Sequence, residues 1–593
     1  MADYILDSSG PLTAQNIRLL EIYPSAAAEH ELRCRLFRVP LSAIQVHIYE
    51  ALSYVWGDAT MQTDIVCNGE SVSVTINLRD ALKRLRLSEK SRFIWADAIC
   101  IDQRSASEKS CQIPLMGRIY SSAERVVVWL GSCDLAEAKG ALDSVRHIAN
   151  HLTRIREESG SESMDWEVYN AIQVPSDYTN ELAHEFLRRL YARPWFSRVW
   201  CIQEIVLAKA AIMLWGDFEL SWIEVSEIAT WLSNIEPIRA LAYEDEAFYA
   251  GIECMHADRV YAIRRRRLGL LKTLDDCSIF QATDPRDMIY GVLALVNAEE
   301  DVEALSVDYN KDVGEVYADV VIMEIRSYAT LDVLAYVDHG AEYSSAGHFT
   351  SWTPQWNDQA ICSVRRLPHD DSEMSACRNK VVETVDESHL NSRYLRLKGL
   401  SYYRVTTIHT EMSLENMKDH SKYPFLDIIS TVMRQHLDDQ DQTQLAQAFA
   451  RLARTLTAGS TDNNDVLAAD QEERENFYRS FMKYVECLFK GINFLEFRKE
   501  HLPQESFYDE AEIVCLGRRF FWLEGGSFGI GPACMRRGDV VVVLFGGKTP
   551  YILRPCGRSY LYIGQAYVDE LMTGILIEEM ERGRVHEQDF LLV

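Results

Sequence analysis

The chain has 593 residues, which is enough for roughly three or four domains. Hydrophobic residues make up 47% of it and charged residues 25%, as in an ordinary globular protein. The formal net charge of −28 argues against a general affinity for nucleic acid or anionic membrane, because both need a basic surface. A local pocket for an anionic small ligand is still compatible with that charge.

The cysteines and the N-terminus indicate a cytoplasmic protein. The 14 cysteines include no C-x-x-C pair and no cluster with histidine at zinc-binding spacing, so we expect no metal site and interpret them as reduced thiols. The N-terminus has no signal-peptide pattern, and no apolar run approaches the roughly 20 residues of a membrane helix. We therefore predict that the protein binds neither nucleic acid nor membrane.

The first 220 residues alternate between short apolar runs and amphipathic stretches. We interpret residues 1–48 as a lead-in, in which Leu32–Phe37 could form an edge strand or a hairpin. The pair Asn68-Gly69 predicts a hairpin over 65–74, and Asn77 is a candidate N-cap for the next helix. Four runs are typical of buried strands: Tyr49–Val55, Phe93–Cys100, Arg125–Leu130 and Ala211–Trp215.

These runs are separated by stretches with helical periodicity, among them Ile113–Tyr120, a polar insertion over 134–185, and Trp195–Leu207. Strand–helix alternation of this kind predicts an α/β domain over 49–220 with a mostly parallel, doubly wound sheet.

Residues 221–390 are predicted to be mainly helical. Asp284-Pro-Arg-Asp287 is typical of a helix start, although Arg286 could instead bind an acidic group. The basic run Arg264–Arg267 is interpreted as a solvated helix face, with contact to an anion or a partner as the alternative.

Residues 391–593 are predicted to form a small antiparallel barrel or sandwich with a helical insertion over 411–510. An acidic loop lies near Asp462–Glu473 in that insertion. The expected strands are Tyr394–Leu400, Ile513–Leu516, Arg519–Leu523, Phe528–Ile530, Val540–Phe545, Tyr551–Leu553 and Leu561–Tyr567.

Several ordered motifs resemble those of the fungal heterokaryon incompatibility (HET) domain family. They are Tyr49–Asp58 (YEALSYVWGD), Phe93–Gln103 (FIWADAICIDQ), Met116–Gly131 and the stretch from Arg193 to Glu204. Asp284–Asp287 and the tail from Gly517 to Met572 resemble long members of the same family. The resemblance implies a role in self/non-self recognition and programmed cell death.

A second resemblance is to TIR domains, in which a helix bearing a Trp-Cys-x-x-Glu run supplies the catalytic glutamate of NAD-cleaving enzymes. The run Trp200–Ile205 looks like that helix, and Glu204 matches the catalytic glutamate. This resemblance implies a TIR-like, flavodoxin-like fold and NAD(P) as substrate, with no separate cofactor. The chain departs from TIR domains in its insertion at 134–185 and its hairpin at 65–74.

The helical pattern around Glu204 agrees with a functional role but leaves an alternative. The apolar residues of this helix form one stripe, and Glu204 lies about 170° away from it. Trp200 lies on the same face as Glu204 and is a further candidate substrate-binding residue. A Trp beside a Glu favours a cleft or covered surface. The alternative is an interdomain contact in which Glu204 pairs with Arg198 or Arg193.

Two loops at predicted strand ends are candidate substrate-binding segments, because ligands bind at the carboxyl ends of parallel strands. They contain Trp56, Gly57 and Asp58, and Asp102 and Gln103. Their alternative role is turn formation around a core Trp.

Asp97, inside a predicted strand, is a further candidate substrate-binding residue, with membership of a structural network as the alternative. Cys100 and Cys201 are interpreted as core thiols, since no His is placed beside either.

One carboxylate suffices to cleave NAD at the nicotinamide–ribose bond, because nicotinamide leaves as a neutral molecule and the transition state resembles an oxocarbenium ion. The two resemblances together imply the leading hypothesis, an NAD(P)-cleaving cell-death effector. The competing hypothesis is a non-catalytic module that assembles with itself or with a partner incompatibility protein and is regulated by its C-terminal region.

Overall fold

The chain folds into two compact units, Met1–Asp312 and Val313–Val593, in a computed structural model. The structure describes residues 12–27, 30–46, 48–133, 135–159, 181–233, 251–252, 268–296, 305–340, 343, 349–358, 367, 375–382, 390–391, 393–413, 415–416, 424–436, 442–460, 465–466, 468–490 and 507–593. The predicted basic run Arg264–Arg267 lies outside the described residues, as do 160–180 of the predicted insertion.

The described strands of the first unit form one nine-stranded sheet in the order β5-β4-β2-β1-β6-β3-β7-β8-β9. These strands are β1 (Asn16–Ile22), β2 (Arg33–Pro40), β3 (Glu50–Tyr54), β4 (Gln62–Cys67), β5 (Glu70–Thr75), β6 (Arg92–Trp95), β7 (Val126–Trp129), β8 (Ala211–Trp215) and β9 (Phe218–Ser221). The described helices of this unit are α1 (Ile76–Leu85), α2 (Asp97–Cys100), α3 (Ala106–Gln112), α4 (Met116–Ser122), α5 (Leu135–Ser159), α6 (Glu181–Tyr191), α7 (Val199–Val206), α8 (Trp222–Ser233), α9 (Leu270–Asp276) and α10 (Asp287–Tyr290).

The centre of this sheet contains the four predicted strands, and they are mutually parallel in the order β6-β3-β7-β8. Every residue of β3 and β7 is buried, which explains their nearly continuous apolar sequence. The carboxyl ends of all four strands therefore meet at one edge of the sheet.

The prediction of a mostly parallel sheet is wrong, because the sheet is mixed. Strands β1 and β2, β4 and β5, and β8 and β9 are antiparallel pairs joined by short connections. A short connection can only reverse the chain, whereas a parallel pair needs a long crossover. The segment predicted as an edge strand or hairpin is β2, which lies inside the sheet between β1 and β4.

Local predictions in this unit are partly confirmed. The hairpin at Asn68-Gly69 is confirmed, with both residues at positive φ (54° and 86°), as a two-residue turn requires. The N-cap of α1 is Thr75 rather than Asn77. The predicted strand Phe93–Cys100 ends at Trp95, and Asp97 begins a one-turn helix instead of lying inside a strand.

A buried ion pair ties the N-terminal strand to the rest of the unit. Arg18 in β1 is 1% exposed, and its guanidinium donates to Glu108 of α3 at 2.6 Å. The same carboxylate accepts the backbone amides of Leu12 (3.1 Å) and Asp102 (2.8 Å). Burial alone would raise the pKa of Glu108, but Arg18 and these amides hold it below its usual value. Residues that we predicted to be a lead-in thus fix the loop that follows α2.

The described strands of the second unit form one eight-stranded sheet, most of which closes into a barrel. They are β10 (Leu390–Asn391), β11 (Tyr394–Ile408), β12 (Arg518–Leu523), β13 (Phe528–Pro532), β14 (Val540–Leu544), β15 (Tyr551–Cys556), β16 (Ser559–Gln565) and β17 (Gln588–Leu592). Strands β11, β14, β15, β16 and β17 pair in a closed circle, because β17 bonds both β16 and β11. The β16–β17 pairing is parallel, and the others in the circle are antiparallel.

The described helices of the second unit are α11 (Val313–Tyr328), α12 (Pro424–His436), α13 (Gln442–Leu456), α14 (Gln471–Lys490), α15 (Phe507–Cys515) and α16 (Ile575–Glu581). Helices α12 to α15 share one hydrophobic core with β12 and β13. Strand β11 pairs with β12 and β14, so segments about 100 residues apart share one sheet, as the sequence predicts. The predicted strand Ile513–Leu516 is wrong, since α15 occupies it. A two-bond ion pair from Arg454 to Asp569 (2.7 and 2.8 Å) fastens α13 to the barrel.

Within the described part of the chain, we find no helix that combines the length and the apolar character needed to span a membrane.

Breaking the buried ion pair should destabilise the first unit strongly. We expect Glu108→Gln to lower the free energy of unfolding by about 3–5 kcal/mol, because Arg18 then carries a buried charge without a counter-ion. The control is Glu185→Gln, which removes exposed ion pairs with Arg188 and Arg189 and should cost less than about 1 kcal/mol. Urea denaturation of the full chain checks both, and equal effects would contradict a structural role for the Arg18–Glu108 pair.

Candidate functional site

Polar side chains gather where the central parallel strands end. Strand β3 ends at Tyr54 and continues into the loop that holds Trp56, while β6 ends at Trp95 and continues into α2. Helix α7 begins after Arg198 and carries Glu204 towards the same edge of the sheet. Ligands of open α/β sheets bind at this edge, so the polar cluster here is the candidate site.

Glu204 is 4% exposed and forms the inner part of the cluster. The Ser53 hydroxyl, on the buried strand β3, donates to its carboxylate. The Ser53 oxygen in turn accepts the Trp195 indole N–H at 2.7 Å. Tyr120 of α4 lies beside the same carboxylate and interacts with it electrostatically. A carboxylate with such partners can be buried without being left unsatisfied.

Helix α7 is buried on both sides, which the helical pattern did not reveal. Besides Glu204, Gln203 is 1% exposed and its side-chain amide fits between the Gly117 amide and the Gly291 carbonyl, at 3.0 Å from each. Helices α4 and α10 pack against α7. The face opposite the core stripe is therefore an interior face.

The outer part of the cluster is half-buried and is centred on Asp97. The Trp56 indole donates to the Asp97 carboxylate at 2.8 Å, and the Gln103 amide donates to the Asp97 backbone carbonyl at 2.9 Å. The Ala98 amide donates to the other carboxylate oxygen at 2.8 Å. Three of the predicted substrate-binding residues, Trp56, Asp97 and Gln103, are thus brought together.

The guanidinium of Arg198 attracts both the inner and the outer carboxylate. Arg198 also donates to the Tyr54 carbonyl. Burial raises the pKa of Glu204 to about 7, against the lowering effects of Arg198 and Ser53. Burial also raises the pKa of Asp97, although Arg198 and Trp56 oppose the shift. Repulsion by the nearby Asp97 carboxylate raises the pKa of Glu204 further.

The other predicted site residues lie differently. The Trp200 indole donates to the half-buried Asp287 of α10 at 3.1 Å rather than to the Glu204 carboxylate. Asp58 and Asp102 each accept a backbone amide two residues ahead, at 2.8 and 3.0 Å, which is turn formation. Gly57 has φ +74°, a conformation that favours glycine, so its identity follows from the turn.

Arg286 was expected either to begin a helix or to bind an acidic group, and it binds one within the chain. Its guanidinium contacts Asp284 at 2.7 Å and donates to the carbonyls of Tyr309 and Lys311.

Sequence reasoning missed Ser53, Tyr54 and Tyr120 as members of the cluster. The available signal was a polar residue inside an apolar strand. Strand β3 is buried throughout, and Ser53 and Glu50 are its polar residues. Cys100 and Cys201 are buried, and burial raises the pKa of Cys100 to about 12, so its thiol is a poor nucleophile. Among the described residues, no group of three or more His, Cys, Asp or Glu side chains is arranged to hold a metal ion.

Two family models match the chain. The model of the heterokaryon incompatibility protein (HET) matches residues 49–204, and that of the Het-6 beta-barrel domain matches residues 430–593. The chain is a HET-domain protein.

A curated relative is similar over nearly the whole length of this HET-domain protein. It is heterokaryon incompatibility protein 6, OR allele, of Neurospora crassa, at 24% identity over an alignment that covers 98% of this chain and 96% of the relative. No solved structure matches the chain. The matched HET segment contains every residue of the cluster described above, from Ser53 to Glu204.

The burial of Glu204 makes the stability of the HET-domain protein depend on pH. Its pKa is raised from 4.5 to about 7, so the folded state holds this proton more tightly than the unfolded chain does. The associated stability is fully present below about pH 4.5 and is lost as the pH rises through about 7.

We therefore expect Glu204→Gln to raise stability at about pH 8.5, by up to about 3 kcal/mol, and to change it little at about pH 5. Thermal unfolding of both proteins at the two pH values checks this expectation. Glu185→Gln is the control, because its exposed carboxylate should give the same small difference at both. A Gln variant that is less stable than wild type at the higher pH would show that the ionised carboxylate is well compensated in the fold.

Proposed function

We propose that this HET-domain protein is an effector of heterokaryon incompatibility, in which self/non-self recognition leads to cell death. We further propose that its first unit is TIR-like and hydrolyses NAD(P) at the nicotinamide–ribose bond through Glu204. The observation that supports the second proposal best is the pair of carboxylates, Glu204 and Asp97, at the carboxyl ends of parallel strands. The family membership and the Neurospora relative support the first proposal.

The arrangement of the central strands supports a TIR-like fold. In chain order these strands are β3, β6, β7 and β8, and their order in the sheet is second, first, third, fourth. That is the beginning of the flavodoxin-like order, in which the ligand lies where the strand order reverses. Here the reversal lies at β3, the strand that carries Ser53 and leads into Trp56.

The chemistry suits the cluster. Water and NAD⁺ give ADP-ribose, neutral nicotinamide and a proton, and the bond that breaks joins C1′ of the ribose to the pyridinium nitrogen. Positive charge develops on the ribose ring, where a preorganised carboxylate stabilises it in a site that excludes water. Glu204 is the candidate for this role. NAD(P) would approach from the half-buried side formed by Trp56, Asp97 and Gln103, and their loops must move for Glu204 to be reached.

The burial of Glu204 also favours a second candidate function. A carboxylate that is 4% exposed and already hydrogen-bonded can serve the fold alone. In that case the HET domain is a non-catalytic signalling module that assembles with itself or with a partner incompatibility protein, under the control of the C-terminal region.

A nicotinamide-release assay on the full chain separates the two functions. We expect wild type to release nicotinamide from NAD or NADP, and Glu204→Gln to slow turnover by about 100-fold or more, because it removes charge while keeping shape. Glu185→Gln should retain wild-type turnover. Absence of nicotinamide release by wild type would favour the assembly module, and full activity of the Gln variant would remove Glu204 from the reaction.

The pH dependence gives an independent check. Because the ionised form of Glu204 is the active one in this proposal, turnover should rise with pH through about 7, the pKa of Glu204. A rate that falls over the same range would mean that protonated Glu204 acts instead, as a general acid.

A further inference from the structure

Asp97 is more exposed to solvent than Glu204 is. Glu204 is enclosed by Ser53, Tyr120 and Arg198, whereas Asp97 is half-buried and lies at the outer side of the cluster. Its two oxygens accept well-formed hydrogen bonds from Trp56 and from the Ala98 amide, and the Tyr54 hydroxyl lies beside them. A carboxylate has room for about four, so lone pairs on Asp97 are still available to a ligand or a water molecule.

The Tyr54 hydroxyl is the second observation. Tyr54 is 2% exposed, and within the described structure its hydroxyl makes no hydrogen bond of normal geometry. It lies close enough to Asp97 for the two side chains to interact electrostatically and through a loose hydrogen bond. Buried hydroxyls are almost always bonded to protein or to ordered water, so this one marks a place that a further polar group completes.

We propose that Asp97, with the Tyr54 hydroxyl beside it, holds and deprotonates the water molecule that attacks the ribose, an assignment that rests on the proposed NAD(P) hydrolysis. In this step an O–H bond of water breaks and its proton passes to the Asp97 carboxylate. The water oxygen bonds to C1′, and the electron pair of the C1′–N bond leaves with nicotinamide. Glu204 then acts on the ribose and Asp97 on the water.

The different burial of Glu204 and Asp97 assigns Asp97 rather than Glu204 to the water molecule. A general base must be reached by water and must hold a proton weakly enough to release it afterwards. Asp97 meets the first condition because it is half-buried. It meets the second because Arg198, facing it from the start of α7, counteracts the rise in its pKa that burial causes. The other titratable groups that interact with Asp97 are Tyr54 of β3, Cys100 of α2, Tyr120 of α4 and Glu204 of α7.

The competing role for Asp97 is structural: it could serve only to fix the Trp56 loop. The two roles predict different mutant patterns. If Asp97 only anchors Trp56, then Trp56→Phe, which removes the same hydrogen bond from the other side, should reproduce the effect of Asp97→Asn. If Asp97 is the base, Asp97→Asn should be much more damaging to turnover.

The chain supplies a matched control in Asp287. It is likewise a half-buried carboxylate that accepts a Trp indole N–H, that of Trp200 at 3.1 Å, and it accepts the Tyr309 hydroxyl at 2.6 Å. It is not part of the cluster around Glu204. Asp287→Asn should therefore leave turnover near that of wild type while imposing a comparable structural change.

The test is turnover of NAD by the full chain, with thermal unfolding of each variant. We expect Asp97→Asn to lower kcat by about 100-fold or more with little change in KM, and Trp56→Phe to act mainly on KM. Tyr54→Phe should lower kcat by about 10-fold, the effect of one hydrogen bond, without lowering the melting temperature, because the hydroxyl it removes has no well-formed bond to lose. Added formate should restore part of the turnover of Asp97→Ala, since a small carboxylate can replace the missing base, and should not restore Glu204→Gln.

Three results would overturn the assignment. Equal losses in Asp97→Asn and Trp56→Phe would make Asp97 an anchor only, and full kcat in Tyr54→Phe would remove that hydroxyl from the step. Loss in Asp97→Asn without rescue of Asp97→Ala by formate would exclude a general base. If wild type cleaves NAD and Glu204→Gln does not, these failures leave the proposed function intact. If wild type fails to cleave NAD(P), both proposals fall together.

Discussion

The attraction between Arg198 and two carboxylates is the interaction around which the candidate site is organised. Isolated buried charges are costly, and one guanidinium placed near Asp97 and Glu204 offsets part of that cost for both. The arrangement requires the end of β3, the start of α2 and helix α7 to meet at one point. Ser53 and Trp195 then supply the remaining hydrogen bonds to the inner carboxylate, directly and through the Ser53 oxygen. Burial still outweighs this attraction, so the pKa of each carboxylate is raised although a cation is near.

The sequence predicts the central strands because their signals are local. Each is a short apolar run that ends at residues typical of turns, and being covered on both faces leaves a nearly continuous apolar pattern in β3 and β7. The hairpin at Asn68-Gly69 follows in the same way from two residues that tolerate positive φ. The placement of β1 and β2 inside the sheet is not local. It rests on long-range contacts such as the pairing of β1 with β6 and the Arg18–Glu108 ion pair, whose partners are 90 residues apart. No periodicity within 1–48 carries that information.

The candidate site shows the same limit. A helical wheel gives the direction of Glu204 relative to the core stripe, but it cannot say whether solvent or protein lies on that side. Residues 287–295, which follow about 80 residues later, cover part of α7, so Trp200 meets Asp287 instead of a ligand. Asp97 was placed inside a strand because Phe93–Cys100 is apolar throughout, apart from that residue. Its carboxylate accepts the next backbone amide, which favours a helix start and brings it to the end of the strand, where a functional carboxylate is expected.

The burial of Glu204 bears on substrate choice within the proposed reaction. With Arg198, Asp97 and Glu204 all ionised, the cluster carries one net negative charge, and ionising Glu204 is unfavourable because its pKa is about 7. A cationic pyridinium ring that enters the cluster supplies the missing positive charge and favours the ionised form of Glu204. The ring loses its charge when the C1′–N bond breaks, and positive charge develops on the ribose at the same moment. A carboxylate whose negative charge the protein leaves without a cation interacts more strongly with that charge than a carboxylate already paired with one. The effect is large because interactions in a dry site are weakly screened. Two buried carboxylates facing one guanidinium therefore fit a site in which the substrate supplies the second cation.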